Sequence, residues 1–159
     1  MNNSKLYTLE ELRKVLGKER KKQKTVALAY GRFQLIHIGH IRYLKGAKKT
    51  ADILVAALSS DDSIKNTCGR SGIILDENAR VTLLSSFECV DYVTVFHEPT
   101  PDNILLSLKP EIFCIGPDSM TDSKSAREIV KSYGGKIAAA GGEKIRSTSQ
   151  IIQQIQIPS

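Results

Sequence analysis

The stretch TVALAYGRFQLIHIGHIRYLKGAKKTADILVAALSSD, residues 25–61, decides the fold because it joins two apolar runs through a segment with helical spacing. Residues 25–31 are short, β-rich and apolar, and helical periodicity follows in residues 41–51. Residues 52–61 begin with a second run that is apolar at successive positions, which is typical of a strand buried on both faces. The pattern predicts a strand, a crossover helix and a second, parallel strand.

The same alternation continues along the chain. Residues 7–22 place Thr8 at a capping position and Glu11 three residues later, followed by leucine and valine at helical spacing. Other apolar runs predict strands, and the segments between them predict helices. The further strands are expected in residues 90–96, 111–116 and 136–140, and the further helices in residues 76–87, 101–108, 123–134 and 147–155.

Strands that alternate with helices and are apolar on both faces favour a parallel sheet covered on both sides. The expected fold is therefore α/β, a doubly wound, Rossmann-like, five-stranded parallel sheet with helices on both faces. We expect one domain in residues 25–159, preceded by an N-terminal helical extension in residues 1–24. Ligands of such sheets bind beyond the carboxyl ends of the strands, where the glycine-containing loops are expected.

Composition narrows the function classes. The chain has 159 residues, 25% of them charged and 41% hydrophobic, which is ordinary for a globular protein. It contains no apolar run near the ~20 residues that a membrane span needs and no signal-peptide core, so we expect a cytoplasmic protein without membrane partners. The three cysteines lie in no metal-ligand spacing, which indicates reduced thiols.

The net charge of +6 is concentrated in RKVLGKERKKQK, residues 13–24. A basic segment of this kind can bind nucleic acid, but this one has no interleaved aromatic residues. A solvated helix face is the better interpretation, and a nucleic-acid partner is not expected.

His37 and His40 stand at the opening of the helix that follows the first strand. In a strand-to-helix turn, backbone N–H groups and the helix dipole together form an anion site, and a glycine such as Gly31 lets a ligand approach the backbone. Histidines three residues apart share one face of the first turn and add donors to the same anion. The alternative is that both are capping or surface residues, but the strand, Gly31, Arg32 and the turn before them favour a nucleotide-phosphate site.

With these motifs the sequence resembles the nucleotidylyltransferases that carry the H-x-G-H signature, a cytidylyltransferase-like family. Within it the chain is most similar to the adenylyltransferase branch of bacterial ADP-heptose synthesis, with glycerol-3-phosphate cytidylyltransferases more distant. The resemblance runs from about Leu9 to Ile155. It is carried by HIGHIRYLKGAKKTADILVAALSSDDSIK (37–65), DENARVTLLSSFECVDYVTVF (76–96), PTPDNILLSLKPEI (99–112), SYGGKI (132–137) and RSTSQII (146–152).

The resemblance implies that a nucleoside triphosphate reacts with a phosphorylated acceptor to give a nucleotide-linked product and pyrophosphate, without a covalent enzyme intermediate. His37, His40 and Arg80 would be catalytic, and Mg²⁺ carried by the nucleotide would bridge phosphate oxygens. Asp118 matches an acidic family position near the nucleotide, and Arg80 matches a family arginine after the glycine loop. Ser147, Thr148 and Ser149 match the family's S-T-x motif. The implied nucleotide-binding residues are Gly31, Arg32, Phe33, Gly39, Gly116, Asp118, Ser147, Thr148 and Ser149.

The sequence departs from the heptose branch in its first turn and at two lysine positions. The first turn reads YGRFQ, residues 30–34, where that branch reads N-G-C-F-D, and Cys68 and Ile115 stand where it carries lysines. Lys65, Arg70 and Arg146 are candidates to bind the substrate phosphate in place of those lysines, because guanidinium and ammonium groups suit phosphate.

Three hypotheses stay open at this point. The first is an adenylyltransferase that uses ATP and a sugar 1-phosphate, D-glycero-β-D-manno-heptose 1-phosphate, in lipopolysaccharide synthesis. The second is a CTP-dependent cytidylyltransferase acting on a polyol phosphate or phosphonate. The third is a nucleotide-binding paralogue without catalysis. Family resemblance also implies a homodimer or larger assembly.

Overall fold

The computed structural model describes residues 5–69, 72–116, 123–142 and 148–156, and these form one five-stranded sheet with all strands parallel. The strands are β1 (Val26–Gly31), β2 (Ile53–Ser59), β3 (Tyr92–Phe96), β4 (Ile112–Ile115) and β5 (Lys136–Ala139). Their order across the sheet is β3-β2-β1-β4-β5. The doubly wound α/β class expected from the sequence is confirmed.

The helices precede, separate and follow the strands, as the periodicity predicts, with one addition. They are α1 (Leu9–Lys21), α2 (Ile38–Lys48), α3 (Asp61–Cys68), α4 (Glu77–Ser85), α5 (Asp102–Leu108), α6 (Lys124–Ser132) and α7 (Thr148–Gln156). The added helix is α3, which buries only Ser63 and Ile64 and so shows no apolar stripe in the sequence. It begins at an N-cap, because Ser60 Oγ accepts from the Ser63 amide at 3.0 Å. None of the helices in the described ranges is both long and apolar enough to cross a bilayer.

Helix α1 starts with the capping box that the sequence predicts. The Thr8 hydroxyl accepts from the Glu11 amide at 3.3 Å, and the Glu11 carboxylate accepts from the Thr8 amide at 2.8 Å. On its inner side, Leu12 and Leu16 are fully buried in a cluster that also includes residues of α5 and α6. The helix is therefore part of the core.

Much of the positive charge around α1 is balanced at the surface. Lys22 and Lys24 both pair with Glu19, at 2.9 and 2.7 Å. Arg20 reaches across to Glu111 at 2.7 Å, and it also donates to the carbonyls that end α5. These ion pairs indicate a solvated and self-compensated helix face, as the sequence suggests.

The two faces of the central strand β1 carry side chains of different size. Val26, Leu28 and Tyr30 share one buried cluster with α1, α5 and α6. Ala27 and Ala29 belong to the other cluster, with α2 and α4. Because a methyl side chain occupies little space, the alanine face lets α2 approach the sheet closely.

The order of the sheet reverses between β1 and β4. In doubly wound sheets the ligand crevice opens at this switch point, outside the carboxyl ends of the strands. Helix α2 follows β1 directly, so its N-terminus, with His37 and His40, lies at this edge.

Replacing Leu16 by alanine tests whether α1 belongs to the core. We expect the free energy of unfolding to fall by about 2–5 kcal/mol, because a fully buried leucine leaves a cavity. Lys18→Ala on the exposed side of the same helix is the control, with a change within about 0.5 kcal/mol. Denaturant unfolding measures both, and equal stability of the two variants would show that α1 is a dispensable extension.

Candidate active site

A tyrosine hydroxyl lies between β1 and β4 and bridges them at the edge where the crevice opens. The two strands pair as far as Ala29 and Cys114. At that point the hydroxyl of Tyr43, from α2, accepts from the Tyr30 amide at 3.1 Å and donates to the Cys114 carbonyl at 2.8 Å. Burial raises the pKa of Tyr43 above its ordinary value, so the hydroxyl keeps the proton that it donates. It thus replaces a direct contact between the strands.

The loops after β4 and β5 pack against α2 at this tyrosine, and the second loop needs a glycine to do so. A Cβ placed on Gly116 would lie 3.5 Å from the Tyr43 ring, and one on Gly141 would lie 3.1 Å from the Tyr43 Cα. Gly141 also has φ +97°, a conformation that side chains rarely adopt. Helix α2 therefore contacts the ends of both strands, which fixes its first turn relative to the crevice.

The two histidines form the N-terminal cap of α2. His37 is the N-cap residue, with extended backbone, and its Nδ1 accepts from the Gly39 amide at 3.1 Å. The His37 amide in turn donates to Nδ1 of His40 at 3.4 Å, and the ring centroids are 4.1 Å apart. Because Nδ1 accepts in both rings, the neutral form of each imidazole carries its proton on Nε2. The capping role and the anion-binding role weighed from the sequence are thus compatible.

The turn between β1 and α2 is tight and locally strained. Phe33 has φ +50°, which is rare for a bulky residue, and its ring folds back so that a Cβ on Gly31 would lie 3.2 Å away. The Phe33 ring is also 5.4 Å from the His40 ring. Gly31, Phe33 and His40 are therefore adjacent, as a shared site requires.

Arg80 is buried below this turn and is fully enclosed. Its side chain has 0% exposure, although arginine is mostly an exposed residue in proteins. One terminal nitrogen donates to the carbonyls of Arg32 at 2.8 Å and Ser59 at 2.6 Å. The other donates to Asp61 Oδ1 at 2.6 Å, and Nε donates to the Leu75 carbonyl at 3.2 Å. The guanidinium thus connects the first turn, the end of β2, α3 and the start of α4.

Asp61, which sequence reasoning left outside the site, is the charged partner of Arg80. Its second carboxylate oxygen accepts from the Glu77 amide at 3.2 Å, and Glu77 Oε2 accepts from the Asp61 amide at 3.3 Å. The first residues of α3 and α4 therefore cap one another. Sequence reasoning also missed the role of Tyr43. The residue lies in an ordinary helical pattern, and the sequence does not reveal that β1 and β4 are neighbours in the sheet.

The remaining predicted residues lie in several places. Lys65 is exposed on α3 and pairs with Asp62 at 3.2 Å. Ser149 is exposed in the first turn of α7, the helix expected in residues 147–155. The positions that fall outside the described residues are Arg70, Asp118, Arg146 and Ser147, together with the side chain of Thr148.

Cys68 is exposed, Cys89 is half-buried and Cys114 is buried, all as free thiols. Burial raises the pKa of Cys114, so this thiol is a packing residue. Over the ranges that the structure covers, no three His, Cys, Asp or Glu side chains gather into a metal-ligand cluster.

Comparison with known proteins gives concordant matches. A family model described as cytidylyltransferase-like matches residues 28–154. The chain is 39% identical over 153 residues to the bifunctional protein HldE of Syntrophotalea carbinolica, and 35% identical to that of Geobacter sulfurreducens. Both alignments cover 96% of this chain but 31% of the relative, so the chain spans about a third of the length of these relatives.

Two solved structures share the fold. The lipopolysaccharide core biosynthesis protein from Thermoplasma volcanium is 31% identical, with a TM-score of 0.64 over 74% of this chain and 96% of that one. The pantoate-beta-alanine ligase from Francisella tularensis, solved in complex with beta-gamma ATP and beta-alanine, has a TM-score of 0.63 over 91% of this chain and 68% of that one. Its 15% identity supports the fold alone.

Replacing Tyr43 by phenylalanine removes the hydroxyl that joins β1 to β4. We expect the free energy of unfolding to fall by about 1–3 kcal/mol, because the Tyr30 amide and the Cys114 carbonyl lose their partner in a buried setting. Tyr133→Phe is the matched control, since within the described residues the Tyr133 hydroxyl makes no hydrogen bond. Urea unfolding of both variants measures the difference, and equal losses would contradict the assigned role.

Proposed function

Because the chain belongs to the cytidylyltransferase-like family of nucleotidyltransferases, we propose that it transfers AMP from ATP to a sugar 1-phosphate with release of pyrophosphate. The proposed acceptor is D-glycero-β-D-manno-heptose 1-phosphate, which would give ADP-heptose. The acceptor is supported by the resemblance to the ADP-heptose branch and by the similarity to the HldE proteins and to the lipopolysaccharide core biosynthesis protein.

The observation that carries the proposal is the pair of capping histidines at the switch point. With Nδ1 of each ring held as an acceptor, the neutral form of each ring carries an Nε2–H donor. In the proposed reaction, an oxygen of the acceptor phosphate attacks the α-phosphorus and the bond to the β-phosphate oxygen breaks. Donors fixed in advance stabilise the negative charge that develops on the α-phosphate oxygens, and they need no reorganisation during the reaction.

The start of α2 adds to this effect. The positive end of the helix dipole faces the same region as the histidines, and it favours bound anions. Positioning and charge neutralisation are the main contributions that a protein makes to transfer at phosphorus. The residues of this turn supply both.

We propose a positioning role for Arg80 rather than direct contact with phosphate. Four hydrogen bonds to protein acceptors already engage its guanidinium. By holding the carbonyl of Arg32 it fixes the turn that leads to the histidines. Arg32 and Lys65 carry cations on the described part of the chain, and we propose them as groups that bind substrate phosphate.

Magnesium fits the proposal as an ion that arrives with the nucleotide. Mg²⁺ usually keeps several waters and binds phosphate oxygens with few protein ligands, so a dedicated protein cage is not required. When bound, it would neutralise phosphate charge. A homodimer and a cytoplasmic location stay predictions.

A substrate panel tests the proposed activity. Purified protein with Mg²⁺ should release pyrophosphate from ATP in the presence of the heptose 1-phosphate and less from CTP, with ADP-heptose identified by mass spectrometry. Turnover with CTP and a polyol phosphate instead would establish the cytidylyltransferase alternative. Nucleotide binding without turnover on any acceptor would identify a non-catalytic paralogue and refute the proposal.

Variants of His40 test the carrying observation. We expect His40→Ala to lower kcat on the order of 10²-fold or more, because it removes a donor to the developing charge. His40→Asn keeps an acceptor group near the His37 amide. Its kcat should fall by a similar factor, but it should unfold at a higher temperature than His40→Ala. His97→Ala, at an exposed loop histidine, is the control and should keep full activity. Unchanged turnover in both His40 variants would refute the role.

A further inference from the structure

Gln34 is a buried amide in the turn that leads from β1 to the histidines. Only 6% of the residue is exposed. Its Oε1 accepts from the amides of Ile74 at 2.7 Å and Leu75 at 3.1 Å. Since backbone N–H groups can only donate, these two bonds fix which end of the side-chain amide carries the oxygen.

The other end of the amide makes no such contact. Nε2 is buried and has no hydrogen-bond partner among the described residues. A buried donor without a partner is costly, and native structures satisfy more than ~90% of such groups. An NH₂ group in this turn, close in sequence to the histidines, is therefore available to donate to a ligand.

The place of Gln34 indicates what that ligand offers. The residue stands three positions before His37, in a turn whose other polar groups suit an anion. Gln34 binds the amides of residues 74–75, which lead into α4. Arg80, in α4, donates to the carbonyl of Arg32 in the same turn as Gln34. Two sets of hydrogen bonds thus connect the turn to residues 74–80, and the Gln34 side chain makes one of them.

The chemistry of an amide differs from that of a carboxylate here. A carboxylate of the same shape would accept the two backbone N–H groups equally well. It would also place a negative charge beside the phosphates and offer no donor to them. The amide makes the same contacts with residues 74–75 and provides two N–H donors without a charge.

We propose that Gln34 is a phosphate-binding residue of this site, whose Nε2 donates to a substrate phosphate oxygen while Oε1 holds residues 74–75 against the turn. The inference rests on the proposed function, since it needs a phosphorylated ligand at the histidines. The phosphate belongs either to the nucleotide or to the acceptor, and binding measurements on each distinguish the two.

Gln34→Glu is the sharpest variant, because it preserves the shape and the acceptor while it replaces the donor by a charge. Gln34→Met removes both functions at similar size, and it serves if the glutamate variant does not fold. Gln23→Glu, which makes the same charge change at an exposed position before β1, is the control. Calorimetry with ATP alone gives the nucleotide Kd, and initial rates give KM for the acceptor.

We expect a loss on the order of ten-fold in the Kd for ATP, in the KM for the acceptor phosphate, or in both, with Gln23→Glu unchanged. A loss for ATP assigns the nucleotide phosphates, and a loss for the acceptor alone assigns its phosphate. A folded Gln34→Glu variant, or in its place Gln34→Met, that binds both within two-fold of the wild type overturns the inference and leaves the proposed function standing. Wild-type protein that binds neither ATP nor CTP overturns both.

Discussion

The buried guanidinium of Arg80 is the contact on which the candidate site depends. It joins three parts of the chain: the turn after β1, the junction between β2 and α3, and the residues before α4. A buried charge is costly unless it is paired and hydrogen-bonded, and here one carboxylate and three carbonyls satisfy it. A lysine could not replace it, because an ammonium group lacks the planar fork that reaches acceptors in several directions.

The second constraint is the position of α2 relative to the sheet. Tyr43 anchors the helix between β1 and β4, and the glycines of two loops close against it. His40 stands one turn before that tyrosine and His37 caps the same helix, so the position of α2 fixes where both rings lie. The geometry of the candidate site is thus set by packing inside the protein rather than by the exposed loops.

The sequence predicts the architecture well because the architecture depends on local patterns. Apolar runs and helical spacing identify the five strands and six of the helices, and the Thr8 and Asp76 caps mark where two helices begin. His37 and His40 could be selected because a motif places them directly after a strand. Helix α3 could not be identified, since its stability comes from capping and from Asp61 meeting Arg80 and Glu77. The roles of Tyr43 and Gln34 could not be predicted either, because they depend on partners that lie 71 and 40 residues away in the chain.

The alanine face of β1 has a consequence for how such a site can change. Ala27 and Ala29 have no exposed surface and lie beneath α2, on the side of the strand opposite Val26 and Leu28. Each added carbon there would lift the helix away from the sheet and carry both imidazoles with it. The distance between the imidazoles and a bound ligand can therefore change through residues that do not contact the ligand, because the size of their side chains sets the height of α2 above the sheet.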